Sequence, residues 1–195
     1  RLAGQTESLQ LVSGVSAASY GIEFAGMTTD AYQAKIESSF TLYFHIYKAG
    51  SPESDRWVAI DKSGLRYTFG GWTKGWTGSK GWEDGPGGGI SRWMLTGIDD
   101  TNGNELRVAY WFGLLYAIGY QDIQINFKTS DLSGELAFFP TFREGYISKE
   151  KADNVLREIE IKKSDGSRLQ KIQFDYQISS LRKARQLTSI QQFGK

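Results

Sequence analysis

The chain carries one histidine and no cysteine, and those two counts bound the chemistry it can do. A serine nucleophile needs a base within hydrogen-bond reach. His45 lies inside the run Ser39 to Tyr47, between Phe44 and Ile46, and a lone histidine there reads as a hydrogen-bonded core or edge residue. A Ser/His/Asp triad is therefore not supported, and a zinc site with the usual ligands is out of reach. Asp100, Asn102 and Asn104 put oxygen ligands at alternate positions, as a calcium loop does. The sixth position of such a loop, which requires glycine, is Glu105, and the twelfth, which requires an acid, is Trp111. Hairpin turn chemistry accounts for these residues without a metal. Gly85 to Gly89 lack both a following helix and a Lys-Ser/Thr ending, so no phosphate loop is claimed.

Glu158-Ile159-Glu160 bears one comparison, because glutamates two apart mark the catalytic turn of ADP-ribosyltransferases. Here the pair sits in a strand whose alternation sends both to a solvated face, and Leu187-Thr188-Ser189 follows it in the wrong order. No active site and no cofactor are expected, so the chain reads as a non-enzyme. The remaining candidates are Trp72, Trp76 and Trp82, in the glycine-rich stretch Gly70 to Gly89. So many glycines predict a loop without a regular ladder. Flexible linkers, however, lack large aromatics. Two readings stay open: the indoles fold back to cap the sheet, or they form a platform for a protein or glycan.

The elements that must position these residues follow from composition and pattern. At 195 residues, 39% hydrophobic and 14% aromatic, the chain supports one well-buried core, and a single domain over 1–195 is expected. With 23 basic and 22 acidic residues, a formal charge of +1, nothing calls for nucleic acid or an anionic membrane. No apolar run reaches the roughly 18 residues of a membrane span. The chain opens on Arg1 and closes on Phe193-Gly194-Lys195 straight after a strand-like run, which reads as an excised piece of something longer.

Three hairpins share one grammar. Trp57 to Ile60 leads through Asp61-Lys62-Ser63-Gly64 into Leu65 to Gly70; Trp93 to Ile98 leads through Asp99 to Asn104 into Leu106 to Phe112; Leu156 to Ile161 leads through Lys163-Ser164-Asp165-Gly166 into Leu169 to Tyr176. Asn102-Gly103 is read as the site of positive φ. Further strands are expected at Leu2 to Val15, Ser19 to Phe24, Ala31 to Ser38, Ser39 to Tyr47, Leu114 to Ile118, Gln121 to Phe127, Glu135 to Phe142 and Leu187 to Phe193. Turns are expected at Gly26 to Asp30, Gly119 and Lys128 to Gly134, and one helical turn at Ser148 to Lys151. Arg182 to Arg185 reads as a solvated turn. The fold class is all-β: an antiparallel meander of hairpins forming a sheet, sandwich or shell segment, with little helix.

The patches W-V-x-x-D-K-S-G-x-x-Y-x-F-G at Trp57 to Gly70, W-x-L-T-x-I-x-D-x-N-G-N-x-x-x-x-x-Y at Trp93 to Tyr110, L-R-E-I-x-I at Leu156 to Ile161, F-x-Y at Phe174 to Tyr176 and L-T-S-I at Leu187 to Ile190 occur in a telling order. Together they resemble the SpvB-type region, the N-terminal part of insecticidal Tc toxin B components and of the Salmonella virulence protein SpvB, with Rhs and YD-repeat proteins as more distant relatives. Gly70 to Gly89 departs from that pattern. The resemblance implies structural work: a non-catalytic scaffold or shell segment of a large secreted bacterial toxin. Its implied partners are other parts of the parent chain or a toxin-complex subunit. The alternative is a carbohydrate- or protein-binding β-sandwich that uses Trp72, Trp76 and Trp82, with a glycan as partner.

Overall fold

The computed structural model describes residues 8–36, 40–85, 88–131, 138–143, 146–151, 154–178 and 185–194. Among these the regular structure is strand, apart from two single 3-10 turns at Ala17–Tyr20 and Pro52–Ser54. The strands are β1 (Leu9–Leu11), β2 (Thr28–Ala34), β3 (Leu42–Tyr47), β4 (Arg56–Ile60), β5 (Arg66–Gly70), β6 (Trp82–Asp84), β7 (Ile90–Trp93), β8 (Leu95–Asp99), β9 (Glu105–Trp111), β10 (Leu114–Tyr120), β11 (Ile123–Asp131), β12 (Phe138–Arg143), β13 (Tyr146–Lys151), β14 (Asn154–Lys163), β15 (Arg168–Ile178) and β16 (Arg185–Phe193). The all-β expectation holds.

Two compact units divide the chain, Arg1–Gln121 and Asp122–Lys195. The first is an antiparallel sheet in the order β1-β2-β3-β4-β5-β8-β9-β10, with the β6–β7 pair inserted between β5 and β8. The second runs β11-β14-β15-β16, with the β12–β13 hairpin inserted after β11. Each sheet is a meander whose one departure from sequence order is an inserted two-stranded ribbon.

Local chemistry makes the corners. Asp61 Oδ1 accepts from the backbone N–H groups of Ser63 at 2.8 Å and Leu65 at 3.2 Å, and Asp100 Oδ1 accepts from those of Asn102 at 2.8 Å and Asn104 at 2.9 Å. In each case the residue three places on is a glycine at positive φ, Gly64 at 86° and Gly103 at 82°, where a Cβ would be strained. Asn102 stays at negative φ, so Gly103 alone supplies the left-handed step. At the third corner Asp165 Oδ1 accepts from Ser167 N–H at 2.7 Å and Gly166 takes φ 86°.

Register sorts the first unit's side chains onto two faces, because alternate residues point to opposite sides. Val58 lies opposite Phe44 and Thr68, Thr68 opposite Gly97, Gly97 opposite Arg107, and Arg107 opposite Gly119. That face is covered. At one end Ile22 joins Ala31, Phe44, Ile46 and Val58 in a buried cluster, with Phe24 and Met27 packed against it. The opposite face carries Tyr32, Tyr43, His45, Tyr47, Trp57 and Tyr67, half-buried.

Several expectations fail where a tertiary partner overrides the local pattern. Within the described part of Leu2 to Val15 only Leu9–Leu11 is strand, and Ser19 to Phe24 is no strand: its backbone forms a 3-10 turn and then carries Ile22 into the core. Thr28 to Asp30, expected as turn, is strand because β3 offers partners as far as Tyr47. Lys128 to Asp131 continues β11 against β14. Ser148 to Lys151, expected as a helical turn, is strand paired with β12. Pro140 sits inside β12 opposite Lys149, tolerated because each strand of a two-stranded ribbon has an open edge. Gly119 lies inside β10; Gln121, at φ 52°, stands between β10 and β11 instead. Of the basic stretch, Arg185 begins β16 and 182–184 lie outside the described residues.

Candidate binding surface

The stretch Gly70 to Gly89 is more ordered than its glycines suggest. Trp82–Asp84 forms β6 and pairs with β7, against the expectation of no ladder, and Trp72 makes an isolated bridge to Lys80. The segment between them folds onto the covered face. Thr73 Oγ1 donates to Val108 O at 2.8 Å, Ser79 Oγ donates to Thr73 Oγ1 at 2.9 Å, and Tyr110 N–H donates to Ser79 Oγ at 2.8 Å. Both hydroxyl side chains are buried, so each needs the partner it has. Small residues make the seat. Ala109 and Ala117 are fully buried and lie opposite each other, and Trp76 lies against Gly119.

The three tryptophans therefore have three different surroundings. Trp82 is 6% exposed, with Lys80 Nζ 4.9 Å from its ring centre. Trp72 meets Trp82 edge to face at 5.2 Å and is 49% exposed. Trp76 lines a cleft of about 270 Å³ with Thr77, Ser79, Tyr110, Trp111 and Tyr116, whereas Trp72 lines a separate depression. The fold brings Trp72 and Trp82 together and puts Trp76 elsewhere. Residues missed from the sequence complete the cleft, Tyr110, Trp111 and Tyr116; Trp111 is 52% exposed and stands edge-on at 5.3 Å to Phe112, which lies outside the cleft, 88% exposed at φ 48°. Two large aromatics side by side at a Gly113 reversal were the available signal, since alternation cannot bury both.

On the opposite face His45 stacks between Trp57, centroids 4.5 Å apart, and Tyr47, 4.7 Å apart. Its Nε2 lies 2.9 Å from Asp55 Oδ1, the oxygen that also accepts from Trp93 Nε1–H at 2.9 Å. Tyr47 donates to Asp30 at 3.2 Å, and that carboxylate raises the phenol's pKa. In the second unit Glu158 and Glu160 share one polar, part-exposed face of β14, opposite Lys128 and Lys171 respectively. Lys128 Nζ lies 2.6 Å from Glu158 and 3.4 Å from Glu160, and Lys171 Nζ lies 3.6 Å from Glu158. The hydrogen bond from Lys128 holds Glu158 below the ordinary carboxylate value, and Glu158 in turn raises the lysine. Among the described residues no cluster of three or more His, Cys, Asp or Glu side chains could hold a metal, and no helix is long and apolar enough to cross a membrane.

No family model matches the chain, and no curated protein matches it. Solved structures do. The N-terminal domain of effector protein SpvB from Salmonella typhimurium strain LT2 superposes with a TM-score of 0.58 at 11% identity, over 87% of this chain and 70% of that one. TcdB2-TccC3 gives a TM-score of 0.59 at 12% identity over 96% of this chain, and the Photorhabdus luminescens Tc holotoxin pore gives 0.55 at 12% identity over 96%. The chain spans 12% and 11% of the lengths of those two Tc chains. At such identity the relation is one of fold, and at that level the chain is similar to the SpvB domain and to Tc toxin components.

Proposed function

We propose that the chain is a non-catalytic structural module of a large secreted bacterial toxin, a length of β-wall that supports or encloses other parts of its parent chain or a toxin-complex subunit. The observation that carries this reading is the fold likeness to TcdB2-TccC3 along nearly the whole chain. The meander suits such work. Its corners are closed by local Asp and Gly chemistry, and each sheet is extended by adding hairpins. The chemistry of the parent then lies outside these residues. The test removes this segment from the parent protein and measures protease protection of the remainder: the wall reading expects protection to be lost, and a parent that assembles and stays protected without the segment overturns it.

One observation favours a second reading, a carbohydrate- or protein-binding sheet. Trp72 and the cleft lined by Trp76 and Trp111 present indole surface outward, and exposed aromatic surface is a usual anchor for partners. Under this reading Trp72→Ala, at a half-exposed indole, reduces capture of glycans or of a toxin subunit while leaving the fold intact.

A further inference from the structure

On the covered face of the first unit, beyond the segment that carries Ile22 and Phe24, the sheet opens into a depression of about 230 Å³. Register explains its lining. Arg56 lies two residues from Val58 on β4, Arg66 two residues from Thr68 on β5, and Arg107 on β9 opposite Gly97 of the intervening β8, so three arginines from one stretch of the sheet point to one side. Gly97 makes room: a Cβ there would stand 2.8 Å from Arg107 Nη1. Lys74 and Trp72, from the loop folded over the sheet, complete the rim.

The charges are unequally matched. Arg107 is neutralised by Asp99 at 2.7 Å and Glu105 at 2.9 Å, and Lys74 pairs with Glu105 at 3.0 Å. Arg56 and Arg66 have no carboxylate within ion-pair distance among the described residues. Each is tethered instead to a backbone carbonyl, Arg56 Nε to Ser54 O at 3.2 Å and Arg66 Nη2 to Tyr20 O at 2.6 Å. The Arg56 guanidinium also lies 4.8 Å over the Phe24 ring, and burial lowers its pKa. A desolvated guanidinium with spare donors is costly unless an anion meets it. Glu23, exposed at the rim, is the remaining lining carboxylate.

We propose that this depression binds the oxyanion group, a carboxylate or a phosphate, of a small ligand, held by Arg56 and Arg66 with the exposed Trp72 indole beside the rest of the molecule. Guanidinium forks match both groups with paired N–H donors. The site is independent of the wall reading, and either can fail alone.

Calorimetric titration and thermal unfolding of the 195-residue chain test it, with inorganic phosphate and glucuronate as probes and chloride at matched ionic strength as the control. The expected result is saturable binding of at least one probe, weakened about tenfold or more in Arg66→Gln and partly restored in Arg66→Lys. Preference for phosphate or for glucuronate identifies the group recognised. Because Arg56 is packed against Phe24, Arg56→Gln is read only after its circular dichroism matches the parent; Arg66→Gln carries the test if it does not. Equal stabilisation by chloride, or unchanged affinity in the folded arginine variants, overturns the proposal.

Discussion

Trp76 lies across Gly119, its Cη2 2.5 Å from where a Cβ at position 119 would stand. The loop and the strand are far apart in sequence, yet this contact decides where the loop rests. Gly119 is not at positive φ, so contact alone opposes a side chain. Gly119→Val is expected to displace the indole and cost about 1–3 kcal/mol, the usual range for overpacking. Chemical denaturation measures the loss, and proteolysis within 71–81 reports whether the loop has lifted.

Trp82 and Trp72 touch, but only one is buried. Trp82→Ala should lower stability by about 3–5 kcal/mol, and Trp72→Ala by well under that, since half of its surface already meets water. Unfolding midpoints separate the two. Equal losses would mean that the Trp72–Trp82 pair is a structural unit.

The Thr73, Ser79 and Tyr110 contacts staple the loop to β9. Ser79→Ala leaves the Tyr110 N–H without its acceptor and Thr73 Oγ1 without its donor, and is expected to cost about 1–3 kcal/mol. Faster hydrogen exchange at the Tyr110 amide is the local readout.

Asp100 is held below its ordinary value of 3.8, chiefly by hydrogen bonds from Asn104 and then Asn102. A depressed folded pKa means that the charged form is the one folding favours. Its contribution is therefore present above 3.8 and lost as pH falls through the lowered value. Asp100→Asn keeps an acceptor but cannot titrate, so its stability should fall less steeply into acid than that of the parent. Identical acid limbs in urea titrations would contradict this.

Glu158 and Lys128 shift in opposite directions, the acid below 4.5 and the base above 10.5. Their pairing contributes between those values, is lost as pH falls through the lowered Glu158 value, and is lost again as pH rises through the raised Lys128 value. A double-mutant cycle with Glu158→Gln and Lys128→Met should give a coupling of about 0.2–1 kcal/mol. The same preparations should show no NAD turnover, in the parent or in Glu160→Gln; turnover that Glu160→Gln abolishes would refute the non-catalytic reading.

What the order of residues settled by itself is whatever can be closed locally. Asp61 with Gly64 and Asp100 with Gly103 complete their bonds within a few residues, so the hairpins of β4–β5, β8–β9 and β14–β15 were legible in advance, and with them the all-β class. Tertiary structure decided what depends on distant partners. β6 exists because β7 returns beside it, β13 is a strand because β12 faces it, and the separation of Trp76 from Trp72 and Trp82 depends on small side chains at Ala109, Ala117 and Gly119. Arg56, Arg66 and Arg107 look like scattered surface charges until register turns them to one side. Alternation names which residues share a face of one strand, but only the pairing of strands says which faces meet.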